Sequence, residues 1–460
     1  MTGVRRWLGA LGLGIGMVGR TQRSVAQQDS TARDTTLEQR VDRLDQQIRI
    51  LQRLRELAQD SAAAAAKDKP GVSAGKDGFS LKSADGRFQL RLRGYVQADG
   101  RFFLQDSAAP ATSTLLVRRA RPILEATVWK YFDLRLMSDF GGGTAVLQDG
   151  YIDARLNPAF VLRAGKFKPP LGLERLQSAT DLAFVERGLP TNLVPNRDVG
   201  FQAWGEVDSG LVSYAAGVFD GVPDLVNGDA DGSDAKDLVG RIFLTPFRKS
   251  RSPLAGLSIG VAGSTGKERG SALAPALPSY RTAGQATVFK FRADLIAGTA
   301  IADGTRSRVV PQATFYTGAL GIQAEYARSS QEVAFGSDRA TLHHQAWQVA
   351  ASWFVTGEKA GYRTPAPKHP FDPANHGAGA FEIAARYGEL TPDEDVFPVY
   401  ASASSSVHKA REWAIGANWH FARSVKLMVD YEHTSFDGGA AGGRDRETEN
   451  AVLTRIQHAF

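Results

Sequence analysis

Arginine recurs at spaced positions of one parity from Arg87 onward. Arg87, Arg91, Arg93 and Arg101 share it with Gln89, Gln97 and Asp99, and Arg119, Arg121, Arg135 and Arg155 continue it beside Asp133 and Asp153. Side chains two residues apart point to the same side of an extended strand. The spacing therefore builds a cationic wall. A guanidinium is a permanently charged planar fork that matches phosphate or carboxylate oxygens, and rings of Arg and Lys favour anion passage. Residues 81–175 contain 15 Lys/Arg and 9 Asp/Glu. The competing reading is a wet interior whose charges pair among themselves. Arg118 falls on the opposite parity and is expected near a rim.

Other chemistry is thin. The chain has no Cys and eight scattered His, and it lacks the HExxH zinc pattern and the GxxxxGK[ST] phosphate loop. No catalytic set and no cofactor is expected. Asn227-Gly228-Asp229-Ala230-Asp231-Gly232-Ser233-Asp234 looks like a calcium loop but lacks the distal Glu of an EF-hand. It reads first as an acidic surface loop. His343-His344 and the His369/His376 pair have no third ligand beside them.

Several elements must position the arginines. Residues 1–26 have the parts of an export signal, with Arg5 and Arg6, an apolar stretch from Trp7 to Gly19, and Ser24-Val25-Ala26 as the cleavage site. They carry four Arg and no acid, so 51 basic and 49 acidic residues lie beyond them. The pI of about 9.4 overstates the basicity, and nucleic acid is not an expected partner. Residues 27–60 hold a heptad seam, Leu37, Val41, Leu44, Ile48 and Leu51, read as a periplasmic coiled coil. Residues 61–84 read as a linker.

From Phe88 the period becomes two. Phe88, Leu90, Leu92, Gly94, Val96, Ala98 and Phe102 oppose the polar set. Fifteen residues at roughly 3.3 Å each would cross an outer membrane even when tilted. The expectation is an all-β fold: a closed antiparallel transmembrane β-barrel of about 16 strands over residues 85–460, preceded by the short helical segment. Seventeen candidate strands can be traced, one too many for the usual even number. The surplus is placed in 254–316 or 356–410; the candidates in those stretches include 286–294. The third external loop, Lys168 to Val199, carries Glu174, Arg175, Glu186, Arg187 and Arg197, and is expected to fold inward as a constriction. Phe460, in step with Ile456 and Val452, ends the last strand in the pattern that barrel-assembly machinery recognises.

Several of these stretches together resemble the phosphate-selective porin O and P family. They are Leu92-Arg93-Gly94-Tyr95-Val96-Gln97, Val117-Arg118-Arg119-Ala120-Arg121, Ala164-Gly165-Lys166-Phe167-Lys168-Pro169-Pro170, Val185-Glu186-Arg187, Asn196-Arg197-Asp198-Val199-Gly200, Trp353-Phe354-Val355-Thr356-Gly357-Glu358 and Gly379-Ala380-Phe381-Glu382. The resemblance implies a 16-stranded porin in outer-membrane lipid, usually a homotrimer, passing small anions. It adds Lys166 and Lys168 to the pore-lining set of Arg91, Arg93, Arg101, Arg119, Arg121, Arg135 and Arg155. A general non-selective porin and a structural tether are the other functions weighed, with a barrel enzyme last.

Overall fold

The computed structural model describes residues 37–67, 69–75, 78–104, 111–229, 234–294 and 296–460. The expected export signal and the start of the heptad segment lie outside the described residues. The chain divides into two units, Met1–Lys67 and Asp68–Phe460.

The described residues of the first unit form one helix, α1 (Leu37–Lys67). It continues past residue 60, where the linker was expected, through a run of Ala, the best helix former. Val41, Leu44, Ile48 and Leu51 are 50–64% exposed, so the apolar seam has no partner among the described residues.

The second unit alternates apolar and polar residues along strands that all exceed the five or six residues usual in a soluble sandwich. They are β1 (Gln89–Phe103), β2 (Thr114–Val128), β3 (Phe132–Asp139), β4 (Val146–Asn157), β5 (Phe160–Phe167), β6 (Asp198–Val207), β7 (Val212–Phe219) and β8 (Asp237–Leu244). Then come β9 (Leu257–Arg269), β10 (Ile301–Thr317), β11 (Leu320–Phe335), β12 (Asp338–Phe354), β13 (Ala380–Thr391), β14 (Val407–His420), β15 (Val425–Gly438) and β16 (Glu449–Ala459). Each pairs antiparallel with its sequence neighbour, and β16 pairs back with β1 from Ala451↔Phe103 to Ala459↔Tyr95. Phe460 completes closure by exchanging hydrogen bonds with Gly94 at 2.9 and 3.0 Å. On β1, Leu92, Val96 and Phe102 face outward and are exposed, whereas Gln97 and Asp99 are buried inside. That is the polarity of a barrel whose outer face meets lipid.

The surplus candidate strand was 286–294. Ser279–Arg281 and Thr287–Lys290 form a separate hairpin within the connection between β9 and β10. The expected linker contains a hairpin too, Gly71–Gly75 with Gly78–Lys82. Its second strand pairs with β1 from Phe79↔Leu92 to Lys82↔Gln89. The physical reason is an open edge: the β16 ladder ends at Tyr95, so residues 89–92 of β1 need another partner for their backbone groups.

Tight turns gather at one rim and long connections at the other, with three exceptions. Residues 336–337 make a tight turn at the long-loop rim, and residues 245–256 and 355–379 make longer connections at the tight-turn rim. β3, β5, β7 and β8 have eight residues each, whereas β10 and β12 have 17, so the wall is low on one side and tall on the other.

Gly165 makes the close approach of β5 to β4 possible. It sits at φ +126°, and a Cβ there would lie 2.2 Å from the carbonyl oxygen of Gly150. Backbone strain of this kind costs roughly 1–3 kcal/mol. Gly165→Ala is expected to lower the urea midpoint of the refolded barrel. Gly240→Ala, whose Cβ would meet open space, should leave it unchanged; equal midpoints would refute the close-approach argument.

Candidate functional site

The loop from Lys168 to Arg197 runs through the barrel interior because its apolar residues find partners only there. Leu171, Leu173, Leu182, Val185, Leu189 and Leu193 are all at most 2% exposed. Leu189 and Leu193 join a cluster with Tyr280, Val288 and Phe289 of the inserted hairpin and with Val310, Leu342, Leu390 and Phe436 of the tall wall. This cluster fills part of the interior. Asn192 stitches the two inward segments together, accepting from Arg281 N at 2.9 Å and donating to Arg281 O at 3.0 Å.

Away from water, the loop backbone needs other partners, and side chains of the wall supply them. Lys426 donates to Leu182 O (2.8 Å), Asn418 to Ala183 O (2.8 Å) and Arg386 to Glu186 O (3.0 Å). Asp430 accepts from Val185 N at 2.5 Å, and Glu325 accepts from Leu173 N at 2.7 Å. From the opposite rim, the Tyr362 hydroxyl donates to Leu173 O at 2.6 Å. The loop is held from several sides.

What remains open is a cavity of about 1080 Å³ between this loop and the wall from β1 to β5. Among the described residues, 13 Lys/Arg and five Asp/Glu line it. Some pairs are local: Arg121–Asp139 at 2.7 Å, Arg135–Glu125 at 2.6 Å and Arg197–Asp149 at 3.2 Å. Arg93 shares Glu125 at 3.4 Å. Other cations are held by neutral groups. Lys168 donates to Gln177 O (2.9 Å), Arg175 to Thr191 O (2.7 Å), and Arg187 to Glu174 O (2.9 Å) and Gln177 O (2.8 Å). Burial, reinforced by repulsion from Arg187 and Arg197, pushes the Lys168 ammonium well below the usual lysine range.

Glu186 faces the opposite situation. Arg118 lies 2.5 Å from its carboxylate, Arg101 3.4 Å, and Arg119 and Arg455 3.6 Å. Burial opposes its charge, yet Arg118, Arg119 and Arg455 together hold the carboxyl well below the usual carboxylate range. Arg118 was expected near a rim. The register of β1 with β2 instead shifts between Gln97↔Arg119 and Ala98↔Val117. This bulge leaves Arg118 as the extra residue, and its side chain reaches Glu186 inside.

Of the residues singled out from sequence, Arg93, Arg101, Arg119, Arg121, Arg135, Lys168, Arg175, Glu186, Arg187 and Arg197 line the cavity. Four do not. Arg155 pairs with Asp133 while 57% exposed, and Arg91 sits 41% exposed beside Glu125. Lys166 has the parity opposite to Arg163 and pairs with Asp229. Glu174 turns to the tall wall, accepting from Gly188 N (2.9 Å) and Gln348 (3.0 Å). Lining residues that the sequence did not single out include Arg163, Arg281, Tyr362 and Arg363. Parity could have found Arg163; the others come from connections whose paths no periodicity reports. The calcium-like segment includes residues 230–233, outside the described residues. Nearby Asp224 pairs with Arg308 at 2.6 Å, and Asp237 bridges Arg306 and Arg308 at 3.1 and 3.0 Å. No group of metal-ligating side chains is found among the described residues.

A closed 16-stranded antiparallel barrel with an apolar outer face and a long inward loop defines the porin class of outer-membrane channels. The chain belongs to the phosphate-selective porin O and P family, whose model matches residues 88–460. Family and fold together indicate an outer-membrane channel rather than an enzyme. No curated protein matches the sequence. Among solved structures, the fold is similar to the outer membrane channel DcaP of Acinetobacter baumannii (TM-score 0.53, 12% identity, covering 82% of this chain and 99% of that one). It is also similar to an anion-selective porin from Comamonas acidovorans (TM-score 0.51, 13% identity, 81% and 100%). The trimer form of OmpT, an outer membrane protein of Vibrio cholerae, aligns at TM-score 0.50 with 12% identity (81% and 99%).

The Asp430 contact gives a direct check on how the loop is held. Asp430→Ala leaves the buried Val185 N–H without an acceptor, at a cost of about 1–3 kcal/mol, and does not touch the barrel ladder. Trypsin should then cleave at Arg187 in folded protein that resists it in the wild type. Continued protection would show that the loop does not depend on this contact.

Proposed function

We propose that the protein is a passive channel for small anions, including phosphate-like oxyanions, which travel along the arginine wall and past the loop of residues 168–197. The observation that carries this reading is the cavity lining, with 13 Lys/Arg against five Asp/Glu among the described residues. Internal pairing accounts for only part of that charge, since Lys168, Arg175 and Arg187 are bonded to carbonyl and amide oxygens. Arg and Lys along the path replace part of an anion's hydration shell. The inward loop, together with Tyr362 and Arg363 from the other rim, would set the narrowest passage. The short-turn rim and the N-terminal segment would face the periplasm, and Phe460 would be the contact for barrel-assembly machinery. Reversal potentials across a planar bilayer in a KCl gradient test the selectivity. Chloride preference is expected, and potassium preference would sink the anion reading.

The assembly we infer is a homotrimer. The seam of α1 is exposed and has the heptad spacing that packs against further helices, and the OmpT neighbour is described in a trimer form. Light scattering of the detergent-solubilised protein should give three chains per particle; a single-chain particle would overturn the inference.

A further inference from the structure

We propose that Glu186 is a tethered counter-anion that limits how tightly the cavity holds a passing oxyanion, an inference that rests on the channel reading above. Arg101, Arg118 and Arg119 line the cavity together with Glu186. Among the described residues, Glu186 is the one carboxylate found within 4 Å of these three guanidiniums. Arg455, also near Glu186, is already matched by Asp99 in a two-pronged pair at 2.6 and 2.7 Å. Three cations thus face one anion, leaving two positive charges at the cavity wall.

The carboxylate is not free to swing away. The backbone carbonyl oxygen of Glu186 is held by Arg386 and the N–H of Val185 by Asp430, and Arg118 donates to both carboxylate oxygens, so the negative charge is a fixed part of the wall. A site with three guanidinium forks offers the geometry that phosphate-class oxyanions bind best. Conduction demands the opposite balance, binding favourable enough to admit the ion yet weak enough to release it. A permanent carboxylate among the arginines meets that demand by repelling the ion it shares them with. Glu186 is therefore a residue that sets affinity and throughput. Its isosteric neutral replacement should convert a passage into a trap.

The test uses full-length folded protein in detergent and inorganic phosphate as probe, titrated calorimetrically at low ionic strength. Glu186→Gln is expected to bind phosphate at least about tenfold more tightly than wild type, because a like charge at close range has been removed. Glu186→Asp keeps the charge and should stay within about twofold of wild type. The double variant Arg118→Gln/Glu186→Gln removes one charge of each sign and should return to within about threefold. That variant also covers the case in which Glu186→Gln alone does not fold: tenfold tighter binding by the double variant would then overturn the charge-count argument. Equal affinity of wild type and Glu186→Gln, or no phosphate binding by Glu186→Gln, overturns the proposal outright. Failure of the wild type to conduct in bilayers would instead reject the channel reading and leave this binding result standing.

Discussion

Backbone hydrogen bonding in a medium without water is the constraint from which the rest of this architecture follows. An unpaired N–H or C=O in hydrocarbon costs several kcal/mol, so a sheet that spans a membrane must close on itself. Here closure runs from Ala451↔Phe103 down to the Phe460–Gly94 exchange. The same requirement explains the hairpin at residues 71–82, which covers the stretch of β1 that β16 does not reach. Closure also fixes parity around the whole circumference, since a slip of one residue would turn the polar face of a strand toward lipid.

The constraint reappears inside the barrel in a different form. The loop of residues 168–197 has no sheet neighbour, yet its backbone is buried. Lys426, Asn418, Asp430, Arg386 and Glu325 act in place of a neighbouring strand, each meeting at least one carbonyl or N–H. These polar and charged side chains belong to the tall wall and face inward, so their first duty is structural. Charge on the β1–β5 wall has another character. Around the cavity guanidiniums outnumber carboxylates, and two on the loop, Arg175 and Arg187, are satisfied by neutral oxygens that leave their positive field uncancelled. One interior thus has two sides, a packed and neutralised one and an open cationic one.

The inserted hairpin at residues 279–290 accounts for that division. Its Tyr280, Val288 and Phe289 pack with Val310, Leu342 and Phe436 on the inner face of the tall strands. A wet lumen would not keep such apolar residues on its wall. Filling that half with two inward segments directs the remaining space, and any solute in it, toward the arginines. Glu186 lies where the two halves meet, with its backbone anchored to one side and its carboxylate among the guanidiniums of the other.

By itself the sequence determined the barrel, because a period of two over fifteen residues records which face meets lipid at each position. It also determined most of the cationic wall, since Arg93, Arg101, Arg119, Arg121 and Arg135 follow from parity alone. Tertiary structure decided wherever periodicity breaks. A bulge brought Arg118 inward against its parity, and the stretch at 287–290 proved to be one strand of a hairpin inside the barrel, although locally it looks like any other strand. Lys166 and Glu174, both within stretches that looked pore-lining, pair with residues distant in sequence, Asp229 and Gln348. The physical reason is the same in each case. Alternation reports the environment of a strand's two faces, but it carries no information about which long-range partner a loop or an out-of-step residue will find.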